Sequence, residues 1–418
     1  MLLFAGVFAR GSSPIVRRGA AIVWALLGAG VLAPAAAASP GDLDGSFSDD
    51  GWLRTLEVRS PDNNYLPRGA EDVAIQPDGR IVAVGEMIDG ASNWYFGAFR
   101  YLPNGELDPS FGEGGWVDTD LGSFDFAHAV AVQSDGGIVV AGEADCRYAA
   151  CFALARYRPD GSLDPGFGEG GIVHTPFGLV HAAQAFDVTI APDGRIVAAG
   201  FVKTGGDAND SSRFAVNAVA TQAGGRIVVA GHGSRSIYRT EYDFAIARLR
   251  RDGRLDRTFS GDGRRTIDFG RKRFDVAYGL AVRGRSIVAT GSTAVADQGT
   301  PAVAVARLTW GGGLSGFGRR RVAPVPSGGI GRAVLLQPDG RIVVGGRAYS
   351  DSSHDPSDWA LLRWGRGGRL DRSFGGDGIV LTDFGTGADS VRALAFHDGR
   401  ILAAGEIYSS HGLARYLP

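Results

Sequence analysis

Two cysteines and two lysines are all that 418 residues contain of either type. The cysteines, Cys146 and Cys151, cannot found a framework of bridges or a multi-cysteine metal site. They flank what reads as a hairpin loop, so a single local disulfide is expected. Beyond residue 40 no apolar run approaches a membrane-spanning length. No segment sustains an apolar 3.6-residue period either, because glycines interrupt every candidate. A helical crossover between parallel strands is therefore excluded. The seven histidines stand at 128, 174, 181, 232, 354, 397 and 411, none at a ligand spacing beside a cysteine or carboxylate cluster. His174 and His181 share one variable stretch, but zinc is not expected there. No Gly-x-Ser-x-Gly lies between a strand and a helix, and no Gly-x-Gly-x-x-Gly opens a helix. No catalytic residue, cofactor or metal is expected.

Glycine, by contrast, is abundant: 65 of 418 residues, about twice the usual share. With no collagen period, that abundance points to many tight turns between short strands. Residues 1–38 stand apart. Arg10, Arg17 and Arg18 precede an apolar run from Ala20 to Val31, followed by Ala33-Pro34-Ala35-Ala36-Ala37-Ala38. This is the pattern of a cleaved secretory signal, with a retained anchor as the alternative. The mature chain, 39–418, is expected to be one exported domain in the periplasm, on the cell surface or secreted.

Within that domain one phrase recurs. Pro77-Asp78-Gly79-Arg80-Ile81-Val82-Ala83-Val84-Gly85 returns six more times, its final glycines falling at 142, 200, 231, 291, 346 and 405. Five of the intervals lie near 58 residues and one is 31. A second phrase is an apolar strand ending in arginine, as in Phe96 to Arg100 and Phe244 to Arg248. A third is a turn, Leu107-Asp108-Pro109-Ser110-Phe111-Gly112, with counterparts at Leu163, Leu255 and Leu370 and a worn copy at Leu314. Asp-Gly is a two-residue turn signal. The Ile-Val-Val-Ala run is apolar at successive positions, as in a strand buried on both faces. A β-propeller blade, packed between two neighbours, supplies such burial.

The chain ends at Ala414-Arg415-Tyr416-Leu417-Pro418, where internal copies continue into the Leu-Asp turn, and the mature N-terminus carries Leu43-Asp44-Gly45-Ser46-Phe47. Complementary halves imply a ring whose last blade is completed by the first strand, which removes exposed sheet edges. The expected fold is all-β: a closed propeller of about seven four-stranded antiparallel blades. One blade would be thinned, lacking one strand where the interval is 31; six blades and an extra hairpin form the alternative.

These phrases resemble the bacterial delta-60 repeat family over residues 41–418. The resemblance implies a propeller-like fold on exported or surface bacterial proteins, and no reaction.

Charge is uneven despite a net of −2: Asp42 to Asp120 carries 16 acidic and 5 basic residues, Arg248 to Arg285 12 basic and 5 acidic. Arg264, Arg265, Arg271, Lys272 and Arg273 form a possible patch for an anionic partner. Export and the lack of interleaved aromatics argue against nucleic acid. Acidic turns at Asp44–Gly51 and Asp256–Gly263 read as backbone-shaping rather than calcium-binding. The arginine ending each strand is expected to pair with turn carboxylates such as Asp108 or Asp256. Repeats that are near copies should present the same groups from every blade. The reading is thus a monomeric, non-catalytic binding or scaffold protein for a protein or anionic glycan. The alternative is a lyase or hydrolase with its site in the central channel.

Overall fold

A computed structural model describes residues 15–17 and 38–418, apart from 60–63, 147–148, 178–182, 203–213, 234–241, 271–272, 296–299, 318–319, 324, 326, 351–356 and 386. The described residues form an all-β propeller without a helix. Its first blade holds Asp72–Ile75, Ile81–Asp89, Trp94–Tyr101 and Trp116–Thr119, and its second Phe126–Val132, Ile138–Cys146, Ala149–Tyr157 and Ile172–Thr175. A hairpin of Ala183–Ile190 and Ile196–Val202 follows. The third blade spans 214–267, the fourth 273–322 and the fifth 329–383. Ser390–His397, Arg400–Ile407 and Ser410–Tyr416 make the sixth together with Trp52–Thr55 from the other end of the chain. A short strand, Ile15–Arg17, lies antiparallel to the outer strand of the fifth blade.

The short interval is thus a two-stranded hairpin between six four-stranded blades. Among the described residues the unit has two strands, one fewer than expected, because Phe214 does not begin a third strand. It opens the inner strand of the next blade.

Each repeated phrase has a structural cause. In Pro77-Asp78-Gly79, Gly79 N–H donates to the Gln76 carbonyl and Gly79 adopts φ +85°, which glycine reaches without a Cβ clash. The turn is therefore one residue longer than the two-residue form expected from Asp-Gly. The run that follows is buried on both faces, Ile81 to Val84 being at most 3% exposed.

The Leu-Asp-x-Ser-Phe turn is a staple. Asp108 accepts from the Ser110 N–H and hydroxyl on one oxygen, and from Arg100 and Arg80 on the other, both at 2.8 Å. The Arg100 guanidinium lies over the Phe111 ring and donates to the Pro159 carbonyl of the second blade. The same trio recurs as Asp164–Arg156–Phe167, Asp256–Arg248–Phe259 and Asp371–Arg363–Phe374, so the strand-ending arginines do pair with turn carboxylates. Burial alone would raise the Asp108 carboxyl. The Ser110 hydrogen bonds and the two arginines outweigh it and hold Asp108 down at about 2, and Asp256 behaves alike.

A fifth staple joins the two ends of the chain: Asp44 takes Arg415 and Arg400, each at 2.9 Å, and Arg415 covers Phe47. Tyrosine–threonine hydrogen bonds latch neighbouring blades, Thr119 to Tyr157, Thr382 to Tyr416, and Thr55 of the sixth blade to Tyr101 of the first. One apolar core contains Val73 and Ile81 of the first blade with Leu402 and Leu413 of the sixth. Cys146 and Cys151 are joined in a disulfide across the hairpin of the second blade.

Candidate functional site at the mouth of the central cavity

Antiparallel neighbours place the two repeated turns at the same end of every blade. The opposite end carries connections of unlike length and sequence, and the inner strands begin there.

Close to that end each inner strand bulges. Register shifts skip His128, Phe186, Asn217, Tyr278, Arg332 and Arg392. In the first blade the break between Asn64–Pro67 and Asp72–Ile75 leaves Glu71 at the equivalent place, its N–H donating to the Val84 carbonyl. The cause sits across the ladder, in the repeat's final glycine. A Cβ on Gly142 would stand 1.9 Å from the Phe126 carbonyl oxygen, on Gly200, Gly231, Gly291, Gly346 or Gly405 no more than 2.0 Å from an inner-strand carbonyl oxygen, and on Gly85 2.1 Å from the Gly69 carbonyl oxygen in the break before the inner strand. Only glycine admits the bulge, and a bulge re-aims the extra side chain. The repeated glycine is thus the device that points an unrepeated residue inward.

Glu71, His128, Asn217, Tyr278, Arg332 and Arg392, with Phe186, line a cavity of about 250 Å³ reached by all seven inner strands. The near-copy expectation is corrected here: the frame repeats, but the groups aimed into the cavity are all different in kind except the two arginines. Sequence reasoning missed them because they vary among repeats. The available signal was positional, since each lies thirteen or fourteen residues before a repeat's final glycine.

On the second strand, the residue after the glycine is ionisable in five of the seven repeats: Glu86, Glu143, His232, Arg347 and Glu406. Arg392 bridges Glu71 and Glu406 at 3.4 Å each. Gln184 holds both oxygens of Glu143, which also lies 3.7 Å from His128 Nε2. Burial, then the neighbouring Glu71, push Glu86 up to about 7, with His128 and Arg392 opposing. Asp72 and Asp187 clamp adjoining inner strands. Asp72 accepts the N–H groups of Val73 and Val130, both at 2.8 Å, and Asp187 those of Val188 and Val219, at 2.7 and 2.6 Å. Both are half-exposed to the bore yet walled by protein, which raises Asp72 to about 7. Burial and the Asp72 charge raise Asp187 to about 8.

The patch expected from sequence is placed differently. Arg264 and Arg265 lie on the outer strand of the third blade, Arg264 exposed and Arg265 half-buried. Arg273 starts the inner strand of the fourth blade, and Arg271 and Lys272 lie outside the described residues, as does His181. The acidic turns at Asp44 and Asp256 belong to staples. A grouping that sequence reasoning missed is Asp243, Asp268 and Asp275, with one oxygen from each within 4.8 Å of the others. One oxygen from each makes three ligands, short of the six to eight oxygens calcium takes. Asp275 already fastens its loop by accepting the Phe269 N–H at 2.7 Å, as Asp125 does for Leu121 at 2.6 Å.

No curated protein matches the chain. Among solved structures it is similar to a protein of unknown function from Dyadobacter fermentans (12% identity, TM-score 0.46, 88% of this chain and 98% of that one). It is also similar to a gluconolactonase from Xanthomonas campestris (14%, 0.37, 93% and 99%). A third is Sqt1 from Chaetomium thermophilum bound to the N-terminus of the ribosomal protein L10 (13%, 0.45, 84% and 97%). Residues 76–111, 133–167, 222–259 and 337–374 match the family described as "Domain of unknown function (DUF5122) beta-propeller", a description that does not carry the delta-60 name. These four matches support a β-propeller repeat family of unknown function.

Proposed function

We propose that this chain is an exported, non-catalytic binding protein that takes a protein or glycan partner at the varied end of its central cavity. The observation that carries the reading is the row of bulges: identical glycines aim unlike side chains at one point. A fold that repeats its frame and varies its lining separates stability from recognition. In this reading residues 1–38 are removed on export. The hairpin occupies a seventh position in a ring closed by the pairing of Trp52–Thr55 with Ser410–Tyr416.

Binding of the mature chain to an array of bacterial glycans and surface polymers at two salt concentrations tests it. Capture is expected to survive H128F poorly and R264A unchanged. Capture lost with R264A and retained with H128F would sink the proposal. A second reading, a lyase or hydrolase, is favoured by one arrangement: Glu86, pushed up to about 7, feels the charge of His128, which lines the cavity together with Tyr278. A carboxyl titrating near neutrality suits general acid–base work. Product formation from any bound polymer would decide for it.

A further inference from the structure

The buried arginines of the staples each carry an aspartate: Arg100 on Asp108, Arg248 on Asp256 and Arg363 on Asp371, at 2.8–2.9 Å. Arg332 and Arg347 carry none. Neither makes an ion pair or hydrogen bond through its side chain among the described residues, and the Nε of each is buried without a partner. Arg332 lies over the Tyr278 ring, 5.5 Å from its centroid, and Arg347 over Tyr349 at 5.2 Å, so both guanidinium planes are held by stacking. Burial, then the charges of Arg392 and Arg347, bring Arg332 down to about 10, which leaves it cationic at neutral pH. Arg332 is half-buried and makes no direct ion pair among the described residues, and a held guanidinium plane is the form that grips a carboxylate with two parallel hydrogen bonds.

The rest of the cavity narrows the ligand. Glu71, Asp72 and Asp187 share the lining. Glu71 would oppose a dianion such as phosphate or sulfate more than a single carboxylate, and the Asp72 and Asp187 carboxyl groups can hydrogen-bond to hydroxyls. Phe186 and Tyr278 add flat apolar surface. The cavity of about 250 Å³ equals on the order of eight water volumes, room for one sugar unit. We propose that Arg332 seats the carboxylate of an acidic sugar, a uronate, whose hydroxyls face the carboxyl groups of the first blade and the hairpin. This rests on the reading of the cavity as the partner site.

Titration calorimetry of the full chain with glucuronate and galacturonate, against glucose, glutamate and sulfate, tests it. One or both uronates should bind, with glucose and sulfate weaker by about thirtyfold or more, the effect of removing one member of a desolvated charge pair. R332A should lose a similar factor. R332K keeps the charge and the stem, so it guards against a folding defect, and it should also weaken binding because it lacks the fork. Glucose, glutamate or sulfate binding as tightly as the uronates would overturn the assignment, as would uronate binding that R332A leaves intact. If the array captures a polymer that H128F releases while no free uronate binds, the uronate is wrong and the cavity stands. If R264A releases it instead, the cavity reading itself falls.

Discussion

Asp108 gathers two arginines, a serine and a turn around one carboxylate. Removing it strands the buried Arg100, and breaking a buried pair costs about 3–5 kcal/mol. D108A should therefore lower the melting temperature by several degrees, whereas R59A, which breaks an exposed pair with Glu57, should shift it by less than one; differential scanning fluorimetry compares them. Gly142 matters for another reason. In G142A the new Cβ would overlap the Phe126 carbonyl, so the bulge must open and His128 must turn. G90A meets nothing within 4 Å. The first should melt earlier and lose array capture together, and the second should match the parent. The arginine–aspartate staple could be read from the recurring Arg and Leu-Asp phrases because both partners repeat. The bulge could not, since nothing in Ile-Val-Val-Ala-Gly names the distant carbonyl that approaches its glycine.

At the scale of elements, the two ends of the chain meet in one sheet. Trp52–Thr55 completes the sixth blade, and Asp44 holds Arg400 and Arg415. Deleting residues 39–55 should bare the edge of Ser410–Tyr416 and leave both arginines unpaired. A lower melting temperature with concentration-dependent aggregation in light scattering is expected, because exposed edges pair with one another. The disulfide is a smaller matter. Cys146 and Cys151 are 5 residues apart in a hairpin already laddered on both sides. Closing so short a loop removes little chain entropy, below the roughly 3 kcal/mol of a 15-residue loop, so C146S/C151S should melt within a few degrees of the parent. Both pairings were readable from spacing. The hairpin at 183–202 was misjudged by one strand because Phe214-Ala215-Val216 has the composition of a third strand, and only pairing with Arg226–Gly233 assigns it to the next blade.

For the molecule as a whole, two sets of carboxylates pull against each other with pH. Asp72, Asp187, Glu86 and Asp389 have folded pKa values near 7 to 8, against about 4 in an unfolded chain. Between those values the folded chain holds protons that the unfolded chain has lost, so stability falls as pH rises from about 4 to 8. Asp44, Asp108 and Asp256, near 2 when folded, stabilise above about pH 4 and lose that contribution as pH falls toward 2. The melting temperature should therefore be higher at pH 5 than at pH 8 and fall again below pH 4. D72N/D187N should shrink the difference between pH 5 and 8; a melting temperature that rises from pH 5 to pH 8 would count against the raised values.

The sequence by itself determined what is local or repeated: the turns, the doubly buried strands, the staples, the disulfide and the all-β class. Each follows from neighbours a few residues apart or from a pattern copied several times. Only the tertiary structure decided which residues face one another across the cavity. His128, Tyr278, Arg332 and Arg392 come from four different inner strands and Glu71 from the break before a fifth, and they share no motif. The basic run around Arg271 stood out in sequence because its charges are consecutive. Arg332 and Arg347 did not, because the ladder that sets Ile330 opposite Arg347, and the stacking of both on tyrosine rings, exist only once the blades have packed.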